Sequence, residues 1–144
     1  MTIRTGVPDD LSAIESIDPV ARPDAGRRDF LRRAVVSGCL LVATSSDGVA
    51  GFVVLEHSFF GRGFIALLMV APAHRRAGIG SALVRGAEER CATDRIFVST
   101  NASNRPMQQL LERAGYTRSG VIHDLDPGDP ELVYSKSLRP ERSS

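Results

Sequence analysis

Residues 70–83 read Val-Ala-Pro-Ala-His-Arg-Arg-Ala-Gly-Ile-Gly-Ser-Ala-Leu and contain Arg75-x-x-Gly78-x-Gly80. An apolar run, residues 64–70, leads into this pattern, and an amphipathic run, residues 79–90, leads out. A basic, glycine-bearing turn that opens a helix presents main-chain N–H groups with no helical partner, and the helix dipole adds positive potential there. That chemistry binds a phosphate or pyrophosphate, and positions without a Cβ let a bulky anion reach the backbone. A P-loop would need a Gly-Lys-Ser/Thr ending, which is absent. A dinucleotide-binding turn would need a third glycine where Leu83 stands, and an acidic residue at the end of the next strand, near Ser99. A turn chosen only for close packing would leave Arg75-Arg76 incidental.

The elements that must position this turn follow from apolar periodicity. Residues 2–5 read as a short strand, and Pro8-Asp9-Asp10 opens a helix with Leu11, Ile14 and Ile17 on one stripe. Residues 18–26 carry Pro19 and Pro23 and read as a loop. A second helix is expected over about 26–37, burying Phe30, Leu31, Ala34 and Val35 and stopping at Gly38. Residues 39–44 and 49–57 flank Ser45-Ser46-Asp47-Gly48, a hairpin signal. The second of these strands is apolar at nearly every position through Leu55, so both faces should be covered. After the strand at 64–70, Ile79, Ala82, Leu83, Gly86 and Ala87 form a helical stripe. A strand over 95–100, a helix over 105–113 capped by Asn104, and strands near 117–123 and 131–137 complete the chain. The expected fold is α/β (α+β): a mixed, mostly antiparallel twisted sheet of about seven strands flanked by about four helices. Residues 1–138 read as a single domain, with 139–144 a polar, frayed tail.

Composition bounds the partners. The chain has 144 residues, 42% hydrophobic and 24% charged, with a formal net charge of +1. That size and apolar content suit one domain with a real core, and the balanced charge gives no field favouring nucleic acid or an anionic membrane. No stretch approaches the ~20 apolar residues of a membrane span, and residues 1–5 lack the apolar core of a secretory signal. Cys39 and Cys91 carry no metal-ligand spacing and read as buried thiols in a reducing cytoplasm. The expectations are a cytoplasmic location, no metal, no nucleic acid and no membrane.

In this order the motifs resemble the GNAT superfamily of acyl-CoA-dependent N-acyltransferases. Two stretches carry the resemblance: Val70-x-Pro72-x-x-Arg75-x-x-Gly78-x-Gly80-x-x-Leu83, and Asn104-x-x-Met107-x-x-Leu110-Leu111-x-x-x-Gly115-Tyr116. The resemblance implies acetyl-CoA as cofactor. Its pyrophosphate would be held by main-chain N–H groups along the turn formed by Arg75, Arg76, Ala77, Gly78, Ile79, Gly80 and Ser81. Leu68, Met69 and Val70 would pair by backbone with the pantetheine arm and supply an N–H for the thioester oxygen, and Asn104 would hydrogen-bond the arm. In the family this strand splays from the next, and the cofactor fills the gap. The implied reaction is transfer of an acetyl group to a primary amine by direct attack in a ternary complex. The alternative is an acyl-CoA-binding sensor without turnover, and members often form dimers, so a homodimer is carried as an expectation. A longer acyl donor stays open.

The catalytic positions depart from the family pattern. Leu111 stands where many members have the tyrosine that protonates the thiolate, and Ser99 where some have a glutamate. Candidate replacements are Glu56 as base or a solvated strand-end carboxylate, Glu131 to bind or deprotonate the amine, and Tyr134 to supply the missing hydroxyl or to pack. His57 has a suitable unperturbed pKa; His74 reads as solvent-facing, Asn101 as a turn residue and Tyr116 as packing. The resemblance places the acceptor groove between the loops at 18–28 and 123–131, the second of them acidic. An acidic rim suits a cationic amine, and solvated loop charge is the plainer reading.

Overall fold

The computed structural model describes residues 1–75 and 77–139. The expectation for Arg76 and most of that for the 139–144 tail therefore lie outside the described residues. The strands are β1 (Thr2–Thr5), β2 (Leu40–Ser45), β3 (Gly48–Phe59), β4 (Arg62–Val70), β5 (Arg95–Asn101), β6 (Thr117–Ile122) and β7 (Glu131–Ser137). The α-helices are α1 (Leu11–Ile17), α2 (Ala25–Val36), α3 (Ile79–Arg90) and α4 (Arg105–Arg113). The sheet is seven-stranded in the order β1-β2-β3-β4-β5-β7-β6. The pairs β1–β2, β2–β3, β5–β7 and β6–β7 are antiparallel, and β4–β5 is parallel. This is the expected mixed, mostly antiparallel α/β architecture. No helix among the described residues is long and apolar enough to cross a membrane.

Contacts cluster in two compact units, Met1–Leu55 with Leu67–Glu89, and Glu56–Ala66 with the chain from Arg90 onward. In the first, the hairpin turn tightens onto Ser46-Asp47, because β2 runs to Ser45 and β3 begins at Gly48. Every residue of β3 from 50 to 55 is buried, as its unbroken apolar run requires. All five residues of the expected α3 stripe are buried, and Gly80 and Val84 join them. On α2, Leu31, Ala34 and Val35 are buried and Phe30 half-buried. The Asp24 side chain caps α2 by accepting from the Arg27 N–H at 3.1 Å, satisfying a donor the helix leaves unpaired.

In the second unit β5 alternates along its length: Ile96, Val98 and Thr100 are buried, while Phe97, Ser99 and Asn101 are half-buried. The sheet therefore has an apolar face and a semi-polar face here. β7 inserts between β5 and β6, setting Val98 opposite Tyr134 and Asn101 opposite Glu131. β6 is mostly exposed and forms the edge. Asn104 caps α4 through Oδ1, which accepts from the Met107 N–H at 3.2 Å.

One ion pair ties the start of the chain. Arg4 Nη1 and Nη2 donate to Asp10 Oδ2 and Oδ1 at 2.8 and 2.9 Å, and the Val7 N–H donates to Oδ2 at 2.8 Å. The hydrogen bonds from Arg4 hold the buried Asp10 carboxyl below its ordinary value against the opposing effect of burial; the Val7 N–H and the Arg4 charge act in the same direction as the hydrogen bonds. A depressed folded-state pKa stabilises the fold fully above the unfolded value of ~3.9, and that stabilisation is lost as pH falls through the folded value. Asp10→Asn is expected to cost about 1–3 kcal/mol at neutral pH. Urea unfolding should show the gap between wild type and variant closing below pH ~3.9; a gap independent of pH would contradict the assignment.

Candidate functional site

The first unit carries the glycine turn. Leu68, Met69 and Val70 are half-buried at the end of β4. The Ala71 N–H donates to the Ala50 carbonyl at 2.8 Å, fixing where the strand stops. A Cβ at Gly51 would lie 2.7 Å from the Met69 carbonyl oxygen, 3.1 Å from Leu83 Cδ1 and 3.3 Å from Ile79 Cγ2. Residue 51 therefore has room only for hydrogen, because the end of β4 and the start of α3 both press onto it. A short 3-10 turn, Pro72–His74, follows, and Arg75, Ala77 and Gly78 are exposed. Gly78 has φ 77°, in the left-handed region that disfavours side chains. The Ala82 N–H donates back to the Gly78 carbonyl at 3.1 Å. The N–H groups of Ile79, Gly80 and Ser81 precede that bond, at the end of the helix where donors lack intrahelical acceptors. The arrangement can take an anion by backbone alone.

The loop at 18–28 uses its charges internally. Asp18 is fully buried; its Oδ2 accepts from Arg27 Nη1 at 2.7 Å and its Oδ1 from the Val20 N–H at 3.0 Å. Arg28 Nη1 donates to the Ala21 carbonyl at 2.9 Å.

In the second unit, Ser99 Oγ donates to Glu131 Oε2 at 2.8 Å. Both side chains belong to the semi-polar face of β5 and β7, since Ser99 and Asn101 are alternate residues and Asn101 lies opposite Glu131. Tyr134 belongs to the other face, in register with Val98 and Arg118. It is 1% exposed, the Arg118 guanidinium carbon is 5.9 Å from its ring, and its hydroxyl is buried with no hydrogen-bond partner among the described residues. Leu111 is fully buried. Lys136, on the same face as Tyr134, lies 5.6 Å from the ring of Tyr116, the buried residue that follows α4. That contact puts the end of α4 on the Tyr134 face.

Glu56 stands apart from Glu131. Its Oε2 accepts from Ser58 Oγ at 3.3 Å, and alternation along β3 puts it on the face opposite Phe59. Phe59 itself stacks on Phe64, 4.8 Å between centroids, and packs on Phe97 of the semi-polar face at 5.1 Å. His57 Nε2 accepts from the Ala92 N–H at 2.9 Å, which ties β3 to the segment before β5. The acidic rim is also partly structural. Asp126 Oδ2 accepts from Asn101 Nδ2 at 2.9 Å, and Asp129 Oδ1 accepts from the Ser103 N–H at 3.0 Å. Cys39 and Cys91 are free thiols, half-buried rather than buried. Sequence reasoning named Ser99 and Glu131 separately; their contact depends on β7 lying beside β5.

The sequence matches the profile of the Acetyltransferase (GNAT) family over residues 9–116. The chain belongs to the acetyltransferase (GNAT) family. It resembles the crystal structure of a GNAT-family acetyltransferase from Bacillus cereus, with a TM-score of 0.89 and 30% identity over 96% of this chain and 98% of that one. The mycothiol acetyltransferase of Kineococcus radiotolerans is 38% identical over 105 residues, 65% of this chain; the chain spans about a third, 35%, of that relative. The fold also matches yncA of Salmonella typhimurium, solved with its cofactor acetyl-CoA, with a TM-score of 0.79 and 19% identity over 100% of this chain and 97% of that one.

The crowding at Gly51 yields a direct test. Gly51→Ala is expected to lower stability by about 1–3 kcal/mol, because the backbone carbonyl of Met69 must shift. Equal urea midpoints for variant and wild type would show that this close approach is not needed.

Proposed function

We propose that this protein transfers the acetyl group of acetyl-CoA to a primary amine. The observation that carries the reading is the start of α3, where Gly78 adopts φ 77° and the Ile79, Gly80 and Ser81 N–H groups precede the first helical bond among the described residues. These donors fit a pyrophosphate, and family membership favours coenzyme A as its owner. Asn104 keeps its Nδ2 as a donor for the pantetheine arm, since Oδ1 serves as the helix cap. The residues at 68–70 offer main-chain groups of the kind an arm of amides needs.

Glu131 is the proposed base. An alkyl ammonium with pKa near ~10 must lose a proton before attack, and the Glu131 carboxylate, held by Ser99, accepts it directly or through a water. The amine nitrogen then forms a bond to the thioester carbonyl carbon. The carbon–sulfur bond breaks, the electron pair leaves with sulfur, and the second nitrogen proton is released. Ser99 stands where some relatives place a glutamate, so Glu131 would deliver a carboxylate to that position from the neighbouring strand. A thiol with pKa near ~8.5 leaves readily as the thiolate. Tyr134 lies on the opposite face of the sheet from Glu131 and is buried, so it is left outside the site as a packing residue. Glu56 also lies off the Glu131 face and is left outside the site.

Release of free thiol from acetyl-CoA over a panel of primary amines tests the reading. Gly78→Ala should raise the KM for acetyl-CoA about tenfold through strain at a positive φ. Glu131→Gln should lower kcat about 100-fold or more. Tyr134→Phe should leave kcat unchanged and the melting temperature equal or higher. Coenzyme A binding without thiol release for any amine would favour the sensor reading instead.

A further inference from the structure

The semi-polar face around Ser99 steps from large aromatic to small side chains. Phe64 and Phe97 pair across the parallel ladder, and Phe59 stacks on Phe64, so three rings form a half-buried ledge. Two residues further along the same strands the side chains become small: Ala66 on β4 and Ser99 on β5, both half-buried. The step from ledge to small-residue floor spans roughly 7 Å of extended strand. Beside that floor stands the Glu131 carboxylate, held by Ser99 at 2.8 Å.

We propose that this face takes an amine acceptor whose ammonium sits at Glu131 and whose aromatic ring, joined by a short alkyl spacer, lies on the Phe64–Phe97 ledge. The assignment deepens the acetyl-transfer reading by naming its substrate class. Charge complementarity fixes one end: an ammonium pairs with a carboxylate that a neighbouring hydroxyl already orients. The rings fix the other end, because aromatic groups gain from edge or offset contact with existing rings beyond the area they bury. A polycation is disfavoured on the same evidence. It would need further carboxylates, and Asp126 and Asp129 already hold Asn101 and Ser103. A heavily hydroxylated amine would have to strip its own hydration to lie on apolar rings.

Calorimetric titration of the full chain with phenethylamine, n-butylamine and spermidine reads the proposal without turnover. Phenethylamine is expected to bind about tenfold tighter than butylamine. Phe97→Leu, which keeps apolar volume but removes the ring, should bring the two within about twofold. Glu131→Gln should weaken both. Melting curves establish that the Phe97→Leu variant is folded, and Phe64→Leu supplies a second ring deletion with the same expected outcome. Butylamine or spermidine binding as tightly as phenethylamine, or a preference that survives both ring deletions, would overturn the proposal. Thiol release with acetyl-CoA separates it from the reading beneath. Ring-dependent binding without thiol release removes acetyl transfer and leaves the amine site standing. Equal acetylation of all three amines keeps acetyl transfer and removes the aromatic preference.

Discussion

A hydrogen atom where any other residue would place a Cβ allows the end of β4 and the first turn of α3 to meet. Gly51 sits beneath the Met69 carbonyl and against Ile79 and Leu83. The 3-10 turn, the left-handed Gly78 and the N–H groups at 79–81 all follow from that meeting, because a strand held further off could not hand the chain to the helix in so few residues. The proposed recognition of coenzyme A is then mostly main-chain. It asks for a strand end, a positive φ and a helix start, and it tolerates wide variation in side chains. This accounts for the close structural likeness to a relative with 30% identity.

Side-chain charge, by contrast, goes mainly into architecture. Asp10 holds Arg4 and the Val7 N–H, the fully buried Asp18 holds the partly exposed Arg27, and Asp126 and Asp129 brace the loop before β7. Removing Arg27 would strand a buried carboxylate, a change of larger consequence than removing a surface charge. Among these carboxylates Glu131 differs. It belongs to strand β7 and shares the half-buried face with Ser99, whereas Asp126 and Asp129, whose partners are also neutral, brace a loop. That distinction separates a group suited to receiving a proton or an ammonium from groups that fasten loops.

The elements were legible in the sequence because their patterns are local. The stripe Ile79, Ala82, Leu83, Gly86, Ala87 and the Asn104 cap are read within one or two helical turns, and the structure places them as expected. The strand–turn–helix around Gly78 was equally local. What stayed hidden was strand order. β6 and β7 are consecutive and form a hairpin, but β7 also pairs with β5, and nothing in either segment's periodicity announces that insertion. The Ser99–Glu131 contact and the registry of Tyr134 with Val98 depend on it. The loop at 18–28 misled for a related reason: its charges read as solvated, yet Asp18 finds Arg27 across nine residues once α2 folds back. His57, a candidate base by pKa, instead accepts a backbone N–H from a residue far along the chain.

The central claim is that backbone amides at the start of α3 hold a coenzyme A pyrophosphate. An amide-resolved NMR titration of the chain with coenzyme A tests it most directly. The account predicts that the largest shifts fall on the Gly78, Ile79, Gly80 and Ser81 amides and that they saturate together. Saturable binding that leaves those four amides unmoved, or no binding at all, would contradict it.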